Sequence, residues 1–204
     1  MTSHMIDFIR NFVWFANVKG PVLEIGSYIE INQGHLDLRR VFSADTKYLG
    51  IDVLEGPGVD RKVDMFDAEE MSKIMCELTP KTVMCLYVIE HVWKINEAAA
   101  ILGNMWKKDP ESWLFVATHQ NQPYHGTDHY GDFWRLTAPG LGRLMDESGV
   151  PDAKVFVLND TSNPCDVFAI RQPLSMSWPG EAMTKTVQAV AISNYHPMHW
   201  EQYR

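Results

Sequence analysis

The apolar residues of this chain change their period several times, and each change marks an element. Ile6, Ile9, Val13 and Ala16 recur at helical spacing, and the pattern stops at Lys19-Gly20-Pro21. They predict an amphipathic helix that covers one face of a sheet. Short apolar runs then read as strands over Val22–Ile25, 47–53, 61–66 and 112–119. Residues 82–89 are almost continuously apolar, as in a strand buried on both faces. Helical patterns separate these runs over 67–78 and 91–107, where Val92, Ile95, Ala99, Leu102 and Trp106 form one stripe. A third helix is predicted over 138–148, with Thr137 as its N-cap, Pro139 in its first turn and Gly149 at its end. Two last strands, 153–159 and 165–171, are joined by a connection short enough for an antiparallel hairpin.

Strands that alternate with helices and finish in a hairpin predict an α/β fold. The expected architecture is a Rossmann-like open sheet, mostly parallel with a C-terminal antiparallel hairpin, and with helices on both faces. At 204 residues and 46% apolar content, residues 1–172 suit one domain with a single core. Residues 173–204 change character. They carry Pro173, Pro179 and Pro197 around a helical middle and end in a run rich in aromatic residues. This segment reads as an extension that packs on the core or on a partner subunit, which makes a homodimer one expectation.

The net charge is −8, and Lys and Arg are scattered without a basic stripe, which disfavours nucleic acid as a partner. No apolar stretch reaches membrane-spanning length. Cys76, Cys85 and Cys165 form no metal- or disulfide-type pair and suit a reducing cytoplasm. There is no nucleophile elbow and no phosphate-loop lysine motif.

In open α/β sheets ligands bind beyond the carboxyl ends of the strands. The residues expected there are Glu24, Gly26 and Ser27 after the first strand, Asp52 after the second, and Asp64 to Phe66 after the third. Tyr87 to His91 follow the fourth strand, and Thr118-His119 end the fifth. An acid at the end of the second strand can accept both hydroxyls of a ribose. A pyrophosphate would need further glycines in the first turn, but Tyr28 and Glu30 stand there, one bulky and one repelling phosphate. S-adenosylmethionine carries no phosphate, and its ammonium suits a nearby carboxylate such as Glu24.

In this order the segments resemble the class I S-adenosylmethionine-dependent methyltransferases. "VLEIGS" is similar to their first motif, "YLGIDV" to the acidic second and "VDMFD" to the third. "LYVIEHV" resembles the fourth-strand motif of the small-molecule branch. "PYHGTDHYGDFWRLTAPGL" and "GPGVD" resemble segments of bacterial and phage members. The resemblance spans roughly residues 20 to 170. It implies that Glu24, Gly26 and Ser27 line the methionine end of the cofactor, and that Asp52 takes the ribose with Val53 against the adenine. It further implies that Asp64 and Met65 border the adenine, and that Tyr87 and Val88 form a floor beneath the sulfonium.

Methyl transfer to an O or N atom of a small-molecule acceptor needs alignment and often a general base. His125, in the loop after the fifth strand, is the first candidate, and His91 is the second. Glu90 and His91 could instead cap the next helix. The segment around Trp134 and Arg135 could be a structural clamp in which Arg135 pairs with Asp132 or Asp128. A metal held by His125 and His129 requires a helix that Gly126 and Gly131 oppose, so none is expected. The altered glycine turn also supports a rival reading, a non-catalytic binding or assembly protein that kept the fold. An NAD-linked enzyme ranks last. Deleting residues 173–204 is expected to expose apolar surface, read as a change in mass in solution and in melting temperature; no change in either would count against the role given to the extension.

Overall fold

The computed structural model describes residues 3–30, 37–158 and 166–176. Helix α1 (Ser3–Phe15) leads into strand β1 (Val22–Ile25). Next come β2 (Tyr48–Asp52), β3 (Arg61–Lys62), α2 (Ala68–Leu78) and β4 (Thr82–Leu86). The chain continues with α3 (Ile95–Lys108), β5 (Trp113–His119), α4 (Ala138–Glu147), β6 (Lys154–Leu158) and β7 (Asp166–Arg171). The seven strands form one sheet in the order β3-β2-β1-β4-β5-β7-β6. The β3-β2-β1-β4-β5 part is parallel, and β7 runs antiparallel to both β5 and β6. The order reverses between β1 and β4, so the crevice at that point opens at the carboxyl ends of the strands.

Alternate residues of the central strands enter two separate cores. Leu23, Val83, Cys85, Leu114 and Val116 face α2, α3 and α4. Val22, Met84, Phe115, Phe168 and Ile170 face α1. Helix α1 covers its side with phenyl rings: Phe8 meets Phe168 edge-on at 5.0 Å, and Phe12 meets Trp113 and Phe115 edge-on at 5.4 Å each.

Several local expectations need correction. The third strand was expected over 61–66 but pairs only through Arg61 and Lys62. Asp64 then opens a turn, accepting the Phe66 amide at 2.9 Å, and Asp67 caps α2 by accepting the amides of Glu69 and Glu70. The fourth strand stops at Leu86 because Tyr87 turns left-handed, with φ of 59°. A 3₁₀ turn over Ile89–His91 follows, so α3 starts at Ile95 rather than 91 and its N-cap position is Lys94. Glu90 and His91 therefore do not cap it. The α4 expectations hold: the Thr137 hydroxyl accepts the Gly140 amide at 3.2 Å, and Gly149 adopts φ of 79° after the last turn. Cys85 is buried and Cys76 exposed, while Cys165 and residues 177–204, with the extension's expected helix, lie outside the described residues.

Helices α3 and α4 approach closely at Gly103, where an added β-carbon would stand 2.2 Å from the Ser148 carbonyl oxygen. Gly103→Ala should destabilise the fold by about 1–3 kcal/mol through overpacking, measured as a lower denaturant midpoint with an unchanged slope.

Candidate functional site

A cavity of about 800 Å³ lies along the carboxyl ends of β1, β2, β4 and β5. Its lining includes Glu24, Gly26, Ser27, Asp52, Val53, Asp64, Met65, Tyr87, Val88, His91 and His125. The structure thus brings to one cavity every residue expected to meet the cofactor and both candidate bases, while Glu90, Thr118, Asp128 and Asp132 are not among its lining. His119, Tyr130 and the departing residues Tyr28 and Glu30 line it as well.

The turn after β1 is built differently from a glycine-rich loop. Gly26 has φ of 81°, and a β-carbon there would come within 2.1 Å of Val88. Beyond it the close approach is made by glycines of another segment. A β-carbon at Gly58 would meet the Ser27 carbonyl oxygen at 2.3 Å, one at Gly50 the Ser27 hydroxyl at 2.7 Å, and one at Gly56 the Tyr28 ring at 2.5 Å. The Ile29 amide donates to the Pro57 carbonyl at 2.8 Å. Arg39 holds this backing in place by donating to the Gly58 carbonyl and to both oxygens of Asp60, while Asp60 accepts the Gly50 amide. The first turn is therefore packed from behind by the Gly56-Pro57-Gly58 segment, a contact that local sequence patterns do not reveal.

Two acids face the cavity from this side. Glu24 is buried, and its carboxylate accepts the Tyr48 hydroxyl at 2.7 Å. Burial pushes its pKa up to about 7, against the opposing pull of that hydrogen bond. Asp52 accepts the Tyr28 amide at 3.1 Å and the Leu54 amide at 2.9 Å, which fixes its carboxylate at the end of β2.

Histidines gather at the other end. His91 Nδ1 lies 2.6 Å from the Gly131 carbonyl oxygen, and its ring packs edge-on against Tyr130 at 4.5 Å. The His125 ring lies 4.9 Å from that of His91 and 5.0 Å from that of His119. His119 Nδ1 lies 2.8 Å from a carboxylate oxygen of the fully buried Asp166 on β7. Its Nε2 is 3.9 Å from Glu90. Burial lowers the pKa of His91. Glu90, expected at most to cap a helix, is 0% exposed. Burial pushes its pKa up to about 8; the Thr118 hydroxyl favours the charged form without reaching hydrogen-bond geometry and does not offset this.

The loop after β5 is fastened as a clamp. Arg135 donates to both oxygens of Asp132, at 2.5 and 2.6 Å, and Asp132 also accepts the His125 amide at 2.9 Å. The Trp134 indole donates to the Val92 carbonyl at 2.9 Å and packs against the core. The expected pairing is thus to Asp132, and the clamp positions His125. His129 shares no helix with His125, as its glycine neighbours require.

No protein-family model matches the chain, and no curated protein matches its sequence. Solved structures do match it. The N-terminal domain of EvdMO1, a structure with S-adenosylhomocysteine bound, is 15% identical and superposes with a TM-score of 0.56, over 85% of this chain and 82% of that one. The 1,6-didemethyltoxoflavin-N1-methyltransferase of Burkholderia thailandensis, with its acceptor and S-adenosylhomocysteine bound, is 9% identical with a TM-score of 0.54, over 84% and 78%. The chain has the class I methyltransferase fold. In this methyltransferase fold the cavity lies beyond the strand ends at the order reversal, where the sequence placed it. The partners His119 and Asp166 were harder to read; the signal was an aspartate opening the otherwise apolar run of β7.

Asp132 carries charge-assisted bonds in a nearly buried position, so Asp132→Asn should cost roughly 1.5–3 kcal/mol at neutral pH. Arg135 holds its pKa well below the usual carboxylate range. That stabilisation is present above the unfolded value of about 3.9 and is lost as pH falls below it. Parent and variant should therefore converge in thermal stability as pH is lowered from about 4.

Proposed function

We propose that the protein is an S-adenosylmethionine-dependent methyltransferase that acts on an O or N atom of a small-molecule acceptor, with residues 1–172 as the catalytic unit. The observation that carries this reading is one cavity with carboxylates at the ends of β1 and β2 and histidines at the ends of β4 and β5. The donor set fits the cofactor. Glu24 is a buried carboxylate whose pKa, raised by burial, leaves it waiting for a cation, as the methionine ammonium provides. Asp52 is oriented by two amides at the place where a ribose is gripped. The solved neighbours with bound S-adenosylhomocysteine support the same assignment.

In this reading Gly26 and Ser27 pass the methionine end, Val53, Asp64 and Met65 border the adenine, and Tyr87 and Val88 lie under the sulfonium. When bound, the cofactor supplies a methyl group activated by its positive sulfur. The chain aligns the acceptor for in-line displacement. His125, set by the Asp132–Arg135 clamp, and His91, set by the Gly131 carbonyl, assist at that atom. His119, keyed by Asp166, is placed to receive a proton. The non-catalytic reading rested on Tyr28 and Glu30, and the backing by Gly56 and Gly58 speaks against a collapsed turn.

Calorimetric titration with S-adenosylhomocysteine should give micromolar binding by the parent chain; a folded chain that binds neither it nor S-adenosylmethionine overturns the reading. Asp52→Ala should weaken binding by roughly 1.5–3 kcal/mol. Glu24 sets the pH dependence. An ammonium favours its charged form, so affinity should fall by up to about tenfold per unit as pH drops below 7 and level off above it. Glu24→Gln should bind weakly with a flat profile; a parent-like slope in the variant would remove Glu24 from the site. In the free protein the sign is reversed, since an acid with a raised pKa loses folding stability as pH climbs from about 4 towards 7.

A further inference from the structure

At the histidine end of the cavity, and in the wall behind it, stands a donor set that methyl transfer alone does not require. One ligand atom from each of Glu90, His91 and His125 lies within 4.8 Å of the other two. Neither oxygen of Glu90 has a hydrogen-bond partner, although the residue is wholly buried. An ionisable side chain in that position is costly unless something compensates it, and a cation is one such group.

The two histidines are prepared for the same task. The Gly131 carbonyl can only accept, so His91 carries its proton on Nδ1 and leaves the Nε2 lone pair available. His125 Nδ1 faces two acceptors, the Pro123 carbonyl at 3.1 Å and Asp132 at 3.2 Å, against a single donor, Arg135, at 3.3 Å. The acceptors favour Nδ1–H here as well and again leave Nε2 to ligate. Imidazoles oriented by a carbonyl or carboxylate at the far nitrogen are the usual supports of metal-binding histidines.

We propose that Glu90, His91 and His125 bind a divalent transition-metal ion. His91 and His125 line the cavity, so the ion's remaining coordination positions open towards the acceptor. Two imidazoles and one carboxylate with open positions suit zinc, iron(II), cobalt or manganese. The donors must draw together by several tenths of an ångström or more to reach ligand distances of about 2.0–2.2 Å. The side chains come from the turn after β4 and the loop after β5, not from one rigid helix.

The inference deepens the methyltransferase reading and rests on it for its role. It assigns the acceptor to the class that offers an oxygen or nitrogen able to coordinate a metal, such as a phenol or a hydroxyl beside a carbonyl. The ion would polarise that atom, and His91 and His125 would act through it.

The test uses the full chain, stripped of metal by a chelator and titrated with Co²⁺ and, in parallel, with S-adenosylhomocysteine. One saturable Co²⁺ site with visible ligand-field absorption is expected. Glu90→Gln, which keeps the side-chain shape, and His91→Gln should each weaken Co²⁺ by on the order of a hundredfold or more, since even losing a group that hydrogen-bonds to a metal ligand costs about 10–100-fold. His129→Ala should leave it unchanged. A parent chain with no saturable site, or variants that bind Co²⁺ as the parent does, would overturn the proposal. S-adenosylhomocysteine binding separates the two readings: binding without cobalt sinks the metal site alone, and cobalt without binding leaves the site but removes the cofactor reading.

Discussion

The loop after β5 hangs from the main-chain oxygen of Glu90. That carbonyl accepts the amide of Phe133 at 2.8 Å and of Trp134 at 3.3 Å, and so draws the loop across the end of β4. The His91–His125 end of the cavity depends on this attachment. It sets Trp134 against the core, it brings Asp132 and Arg135 under His125, and it lays the Gly131 carbonyl beside His91. The attachment depends in turn on Tyr87, whose left-handed backbone ends the strand and folds the chain back so that Glu90 points inward. A non-glycine residue in that conformation is uncommon and is retained where the surrounding structure over-determines it, often at functional sites.

Much of this was legible from residues alone. Continuous burial in 82–86, the Thr137 and Gly149 signals of α4, and the terminal hairpin could all be read because each reflects a local rule of period or cap. The direction of the acids and histidines was legible too, since strand ends in an open sheet collect on one edge. What escaped were contacts between segments far apart in sequence. The loss of glycines after Gly26 looked like a damaged turn, yet Gly50, Gly56 and Gly58 pack closely against that turn from the neighbouring strand and its loop. Likewise no spacing rule joins His91 to His125 or His119 to Asp166. The tempting pair, His125 and His129, shares a spacing but no helix.

The two ends of the cavity differ in how they treat charge. Around β1 and β2 the carboxylates are held by hydroxyl and amide donors, which keeps them oriented and ready for polar or cationic groups of a ligand. Around β4 and β5 the carboxylates of Asp132 and Asp166 are spent on Arg135, His125 and His119, whereas the buried Glu90 has no hydrogen bond to either oxygen. A ligand that bridges the cavity would therefore meet acids prepared for it at one end and imidazoles at the other.

The phenyl cluster under α1 bears on how the molecule assembles. Phe8 touches Phe156 of β6 and Phe168 of β7, so the first helix described is seated in part on the last strands. Until β6 and β7 have paired beside β5, that helix has an apolar stripe and only part of its surface to cover. Contacts so distant in sequence slow folding, because a long loop must close before they repay it. The parallel half of the sheet can form from nearer neighbours, whereas the face closed by α1 is completed only with the last strands. Damage to the terminal hairpin should therefore be felt first at the opposite end of the sequence, as a loosened α1.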